Sequence, residues 1–132
     1  MDQKKILLVD DEEALRRMVR AVLDCEEYLF TEASNGIDAQ SILENEPFDL
    51  IISDVIMPDC DGIELIMAIR GRYPAMKAII MSGGGRVRAG HYLDLAEKLG
   101  ATRVFEKPFD TAELRRTVRE LLFDETPAEE TE

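Results

Sequence analysis

The chain has 132 residues, 45% of them hydrophobic and 33% charged, and a formal net charge of −12 from 28 acids against 16 bases. That length suits one domain with a single sizeable core and leaves no room for two. So acidic a chain is repelled by nucleic acid and by anionic membrane, whereas cations and basic protein surfaces suit it.

The opening residues lead directly into an apolar block, so no secretory leader is expected, and the sequence holds no apolar span of membrane length. Cys25 and Cys60 form no metal-like pair and read as free thiols in a reducing compartment. The expected location is the cytoplasm.

Strand-like and helical patterns alternate along the chain. Lys5–Val9 is almost continuously apolar, the signature of a strand buried on both faces. Leu15, Met18, Val19, Val22 and Leu23 then recur at helical spacing. Tyr28–Ala33 is a weaker second strand. Ile37, Ala39, Ile42 and Leu43 predict a short helix that ends before Pro47. The third strand is "FDLIISD", Phe48–Asp54. After a turn over Pro58–Gly62, Asp61 and Glu64 read as a capping box for a helix carrying Ile63, Ile66 and Met67. Ala75–Ser82 is the fourth strand, followed by Gly83, Gly84 and Gly85. Tyr92, Leu95, Ala96 and Leu99 predict a fourth helix stopped by Gly100. Ala101–Glu106 is the fifth strand, and Asp110 with Glu113 caps a last helix bearing Leu114, Val118, Leu121 and Leu122. Met18, Met67 and Met81 read as flexible core filler.

Five strands alternating with five helices predict an α/β fold with a parallel sheet and right-handed crossovers. The domain is expected over residues 1–123. Residues 124–132, DETPAEETE, hold five acids and no base and are expected to form a disordered acidic tail.

Open α/β sheets bind ligands beyond the carboxyl ends of their strands. The strand ends here carry a short set of chemistry-bearing residues: Asp10 and Asp11, Asp54, Ser82, and Lys107. Crowded carboxylates repel one another, and a hard divalent cation such as Mg²⁺ relieves that repulsion with oxygen ligands. Lys107 supplies a point charge for a carboxylate or phosphoryl oxygen, and Ser82 a hydroxyl free to rotate. An aspartate beside Mg²⁺ is a nucleophile toward phosphorus. Asp54 stands alone at the end of a central strand, so the cluster predicts an acyl phosphate there, with Asp10 and Asp11 as the metal platform.

Four stretches, "LLVDDEE", "DLIISDVIMPDCDGIEL", "IIMSGG" and "FEKPF", stand in an order and spacing that resembles the response-regulator receiver domain of two-component signalling, over about residues 4–123. The resemblance implies a flavodoxin-like (βα)5 three-layer sandwich with strand order 2-1-3-4-5. It implies that Asp54 takes a phosphoryl group from a histidine kinase or histidine phosphotransfer protein. Asp11, Asp54 and the backbone carbonyl of Ile56 would ligate Mg²⁺, and Asp10 would hold a metal-bound water. Ser82 would be the switch hydroxyl, Lys107 the bridging cation, and the Lys107–Pro108 bond cis. A stand-alone, monomeric receiver would pass its state to a downstream protein not specified by the sequence, either by contact through the face of the fourth helix, fifth strand and last helix or by onward phosphotransfer. The chain departs from the family where an inward-swinging aromatic often stands three residues before the lysine: Val104 occupies that position and Phe105 follows it.

Blander roles fit other residues. Asp59 and Asp61 read as turn and cap residues, Arg86 and Arg88 as solvated, and the single histidine, His91, as a surface residue. One histidine away from the rim leaves no Ser-His-Asp triad. The rival enzyme reading is a Mg²⁺-dependent phosphatase with an aspartyl nucleophile. Such enzymes usually place a second aspartate two residues on, where this chain has Ile56.

Overall fold

The computed structural model describes residues 3–54, 62–82 and 100–123. The apolar blocks become five parallel strands: β1 (Lys4–Val9), β2 (Tyr28–Ala33), β3 (Leu50–Asp54), β4 (Lys77–Ser82) and β5 (Arg103–Glu106). They pair in the order β2-β1-β3-β4-β5. The described helices are α1 (Glu13–Leu23), α2 (Gly36–Asn45), α3 (Gly62–Arg72) and α4 (Thr111–Phe123). The helix expected around Tyr92–Leu99, the turn over Pro58–Asp61 and the tail over 124–132 lie outside the described residues.

Side chains alternate across the sheet because a strand's period is two. Leu7, Val9, Ile51, Ala78 and Ile80 face one way and pack with Ala39 and Leu43 of α2 and Leu65, Ile66 and Ile69 of α3. Ile6, Leu8, Leu50, Ile52, Ile79, Met81 and Phe105 face the other way, against Val19 and Leu23 of α1 and Leu114, Val118 and Leu122 of α4. Helices on both faces make the three layers, and this double burial is why the strands read as continuous apolar runs. Each fully buried Leu, Ile or Val contributes about 1.5–3 kcal/mol.

Local signals set the helix ends. The Asn35 side chain accepts from the Asp38 N–H at 2.7 Å and starts α2. Asp110 Oδ1 accepts from Ala112 N–H at 2.9 Å and Glu113 N–H at 3.3 Å and starts α4. Gly100 adopts φ 126°, a conformation that disfavours any side chain. Arg70 of α3 crosses behind it and donates to the carbonyls of Pro74 (2.8 Å) and Met76, tying down the chain between α3 and β4.

Three strands begin later than their apolar runs suggest. Phe48 and Met76 are buried but precede β3 and β4, and Ala101 precedes β5, because burial extends into the turns before ladder pairing begins. The filler role holds for Met81, which is buried, and fails for Met18 and Met67, which are 39% and 56% exposed. Met18 lies at the margin of the α1 stripe centred on Val19, and Met67 faces away from Leu65, Ile66 and Ile69. Ile37, in the first turn of α2, is likewise exposed. Among the described residues no helix is long and apolar enough to cross a membrane.

Candidate functional site

Parallel register aligns the carboxyl ends of the strands. Val9 pairs with Ser53, Asp54 with Met81 and Ser82 with Glu106, so the residues that follow emerge side by side. One carboxylate oxygen from each of Asp10, Asp11 and Asp54 lies within 4.8 Å of the others. Lys107 Nζ sits 3.5 Å from Asp10 Oδ2 and 3.5 Å from Asp54 Oδ1, bridging the two. The structure therefore brings together four of the residues singled out from the sequence. The backbone of Ser82 ends β4 beside them, while its side chain and all of Ile56 lie outside the described residues. The Lys107–Pro108 bond is cis.

The three acids are unequal. Asp10 is buried and Asp11 exposed. Burial pushes the Asp10 carboxyl up to about 6, against the opposing pull of the Glu12 N–H and Lys107 and with the help of its neighbours Asp54 and Asp11. Asp10 Oδ1 accepts from the Glu12 N–H at 2.9 Å, which folds the chain back toward α1. The β1–β2 ladder extends one residue past β1, where the Asp10 N–H donates to the Ala33 carbonyl at 3.1 Å.

The donor set fits a hard cation. Octahedral Mg²⁺ with ligands at about 2.0–2.1 Å needs oxygens about 3–4 Å apart, so a 4.8 Å cluster closes with small side-chain movement. A cleft of about 650 Å³ also opens at the opposite edge of the sheet, between Glu44–Asp49 and Tyr73–Lys77. It is remote from the carboxylates, and in an open α/β sheet the carboxyl edge carries the chemistry.

Two residues escaped the sequence reading. Arg16 of α1 donates through Nη1 to the Asp10 carbonyl at 2.6 Å and through Nε to Glu32 of β2 at 2.8 Å. Arg16 is one of several arginines on α1, and nothing in their spacing identifies a partner on β2.

The model of the response regulator receiver domain matches residues 6–119. The chain belongs to this family. The receiver is 34% identical over 122 residues to sporulation initiation phosphotransferase F of Bacillus subtilis, covering 92% of this chain and 96% of that one. It is 31% identical over 119 residues to the response regulator receiver protein CpdR of Brucella abortus, covering 90% and 97%. A CheY-like receiver domain protein from Methanospirillum hungatei superposes with TM-score 0.82 at 28% identity, covering 93% and 96%. Against several longer response regulators the receiver spans about a quarter of their length. Receivers accept phosphoryl groups from histidine kinases or phosphotransfer proteins and generally bind Mg²⁺ at an acidic cluster. In this receiver Asp10, Asp11 and Asp54 are grouped at the strand ends.

Proposed function

We propose that Asp54 is the phosphoacceptor of this receiver and that Asp10, Asp11, Asp54 and the Ile56 carbonyl hold Mg²⁺. The observation that carries this reading is the bridge from Lys107 to both Asp10 and Asp54 inside a three-carboxylate cluster. When bound, Mg²⁺ withdraws negative charge and orients the incoming phosphoryl group. An Asp54 carboxylate oxygen attacks phosphorus, the bond from phosphorus to the donor's imidazole nitrogen breaks, and that nitrogen keeps the electron pair. Lys107 stays within reach of the phosphoryl oxygens, so the added charge has a cation already placed. Ser82 then donates to another of these oxygens and carries the change along the chain that follows β4. The receiver works as a monomer in the cytoplasm and passes its state by contact to a protein target.

No observation favours the phosphatase reading, and Ile56 denies it the usual second aspartate. Incubation with a small phosphodonor and Mg²⁺ tests the assignment by intact mass. The wild type is expected to gain one phosphoryl group. Uptake by Asp54→Asn at the wild-type rate would overturn it.

A further inference from the structure

We propose that Arg16, held by Glu32, is a positioning residue that sets the Mg²⁺ affinity of the receiver by fixing the peptide between Asp10 and Asp11. The inference rests on the metal role given above to those two aspartates, and it concerns a side chain that touches neither the metal nor phosphate.

Asp10 is anchored at every polar group it has. Its N–H goes to Ala33, its Oδ1 receives Glu12 and its Oδ2 faces Lys107. The carbonyl is the remaining group, and Arg16 Nη1 holds it at 2.6 Å. That carbonyl defines the plane of the Asp10–Asp11 peptide and so the direction in which Asp11 leaves the sheet. Asp11 is exposed, and among the described residues its carboxylate makes no hydrogen bond or ion pair. Its aim into the cluster therefore comes from the backbone behind it.

Arg16 is itself held. Its Nε meets Glu32 Oε1 at 2.8 Å with its side chain 14% exposed, and Arg20 Nη1 holds the other carboxylate oxygen of Glu32 at 2.9 Å while its guanidinium lies over Phe30. The Arg16–Glu32 pair holds the Glu32 carboxyl below the usual glutamate range. Glu32 and Ala33 are consecutive on β2, so one short segment of that strand fixes Asp10 from both sides, through Ala33 directly and through Arg16 at one remove. A planar guanidinium serves two acceptors at set angles, which an ammonium does not.

Charge and position predict opposite signs. A cation near the cluster repels Mg²⁺, so an arginine acting by charge alone would weaken metal binding and its loss would tighten it. A positioning arginine does the reverse. The experiment measures Mg²⁺ affinity by calorimetry, with the amide resonances of Asp11 and Glu12 followed by NMR, in the full chain. Arg16→Lys and Glu32→Asp both keep net charge and break the two-point hold. Each is expected to weaken Mg²⁺ about tenfold, the lower end of what the residues around metal ligands contribute. Each is also expected to displace the Asp11 amide resonance in the metal-free protein. Arg20→Gln removes the outer contact to Glu32 and the packing over Phe30 but leaves the Arg16 hold in place, and is expected to leave affinity within about twofold of wild type. Wild-type affinity in either Arg16→Lys or Glu32→Asp overturns the proposal, as does an equal loss in Arg20→Gln. A wild type that binds no Mg²⁺ would instead sink the metal assignment itself.

Discussion

In the metal-free receiver, replacing Asp10 by Asn is expected to stabilise the fold. Asp10 is buried among carboxylates, and its carboxyl rises from 3.8 to about 6. At about 1.4 kcal/mol per pKa unit, ionising it in the folded state costs about 3 kcal/mol near neutral pH. Asn fits the same space, and its side-chain oxygen still accepts from the Glu12 N–H. Its amide stands beside Lys107 without the attraction, so a net gain of about 2 kcal/mol is expected. For a domain of this size that raises Tm by about 5–10 °C. The sign follows from the raised value: the folded state binds the proton more tightly than the unfolded state. The penalty is therefore absent below the unfolded value, grows as pH rises between 3.8 and about 6, and is complete above. The advantage of Asp10→Asn should accordingly shrink to about 1 kcal/mol or less near pH 4.5. Saturating Mg²⁺ should shrink it too, because the wild type then gains binding energy that the variant lacks. Chemical denaturation in EDTA at both pH values measures this. A variant no more stable than wild type at neutral pH, or a gain that does not change with pH, would refute the reasoning.

Glu32 has the opposite sense. The hydrogen bond from Arg16, with Arg20 beside it, lowers its carboxyl below the ordinary value of 4.5, so its contribution is present above 4.5 and lost as pH falls through the lower folded value. Glu32→Gln is expected to flatten the acid limb of the stability profile, and an unchanged limb would contradict that. Gly100→Ala is expected to cost about 2 kcal/mol or more, since the residue sits at φ 126° and a Cβ there would lie 2.4 Å from Arg70 Cγ. A urea midpoint equal to that of wild type would show that Arg70 moves aside freely.

The sheet was legible because its strands are buried on both faces and so leave unbroken apolar runs. Their order came from the receiver resemblance, whereas Asp10, Asp11, Asp54, Ser82 and Lys107 were read from the strand ends that an alternating α/β pattern brings to one rim. Strand starts were misplaced at Phe48, Ala75 and Ala101, since an apolar run continues into the turn before ladder pairing begins. Met18 and Met67 were misread for a related reason: a methionine on a helix carries no mark of which side of the apolar stripe it occupies. Arg16 and Glu32 were illegible because their pairing joins a helix to a strand 16 residues apart, and an acidic, arginine-bearing chain offers many equivalent partners.

The central claim is that the strand ends make Asp54 a metal-dependent acceptor of phosphorus. Borohydride reduces an acyl phosphate on aspartate to homoserine, which peptide mass spectrometry can locate. After reaction with a small phosphodonor and Mg²⁺, homoserine is expected at position 54, and with EDTA it is expected to disappear. Homoserine at Asp10 or Asp11 instead, or labelling of Asp54 that is indifferent to the metal, would contradict the account.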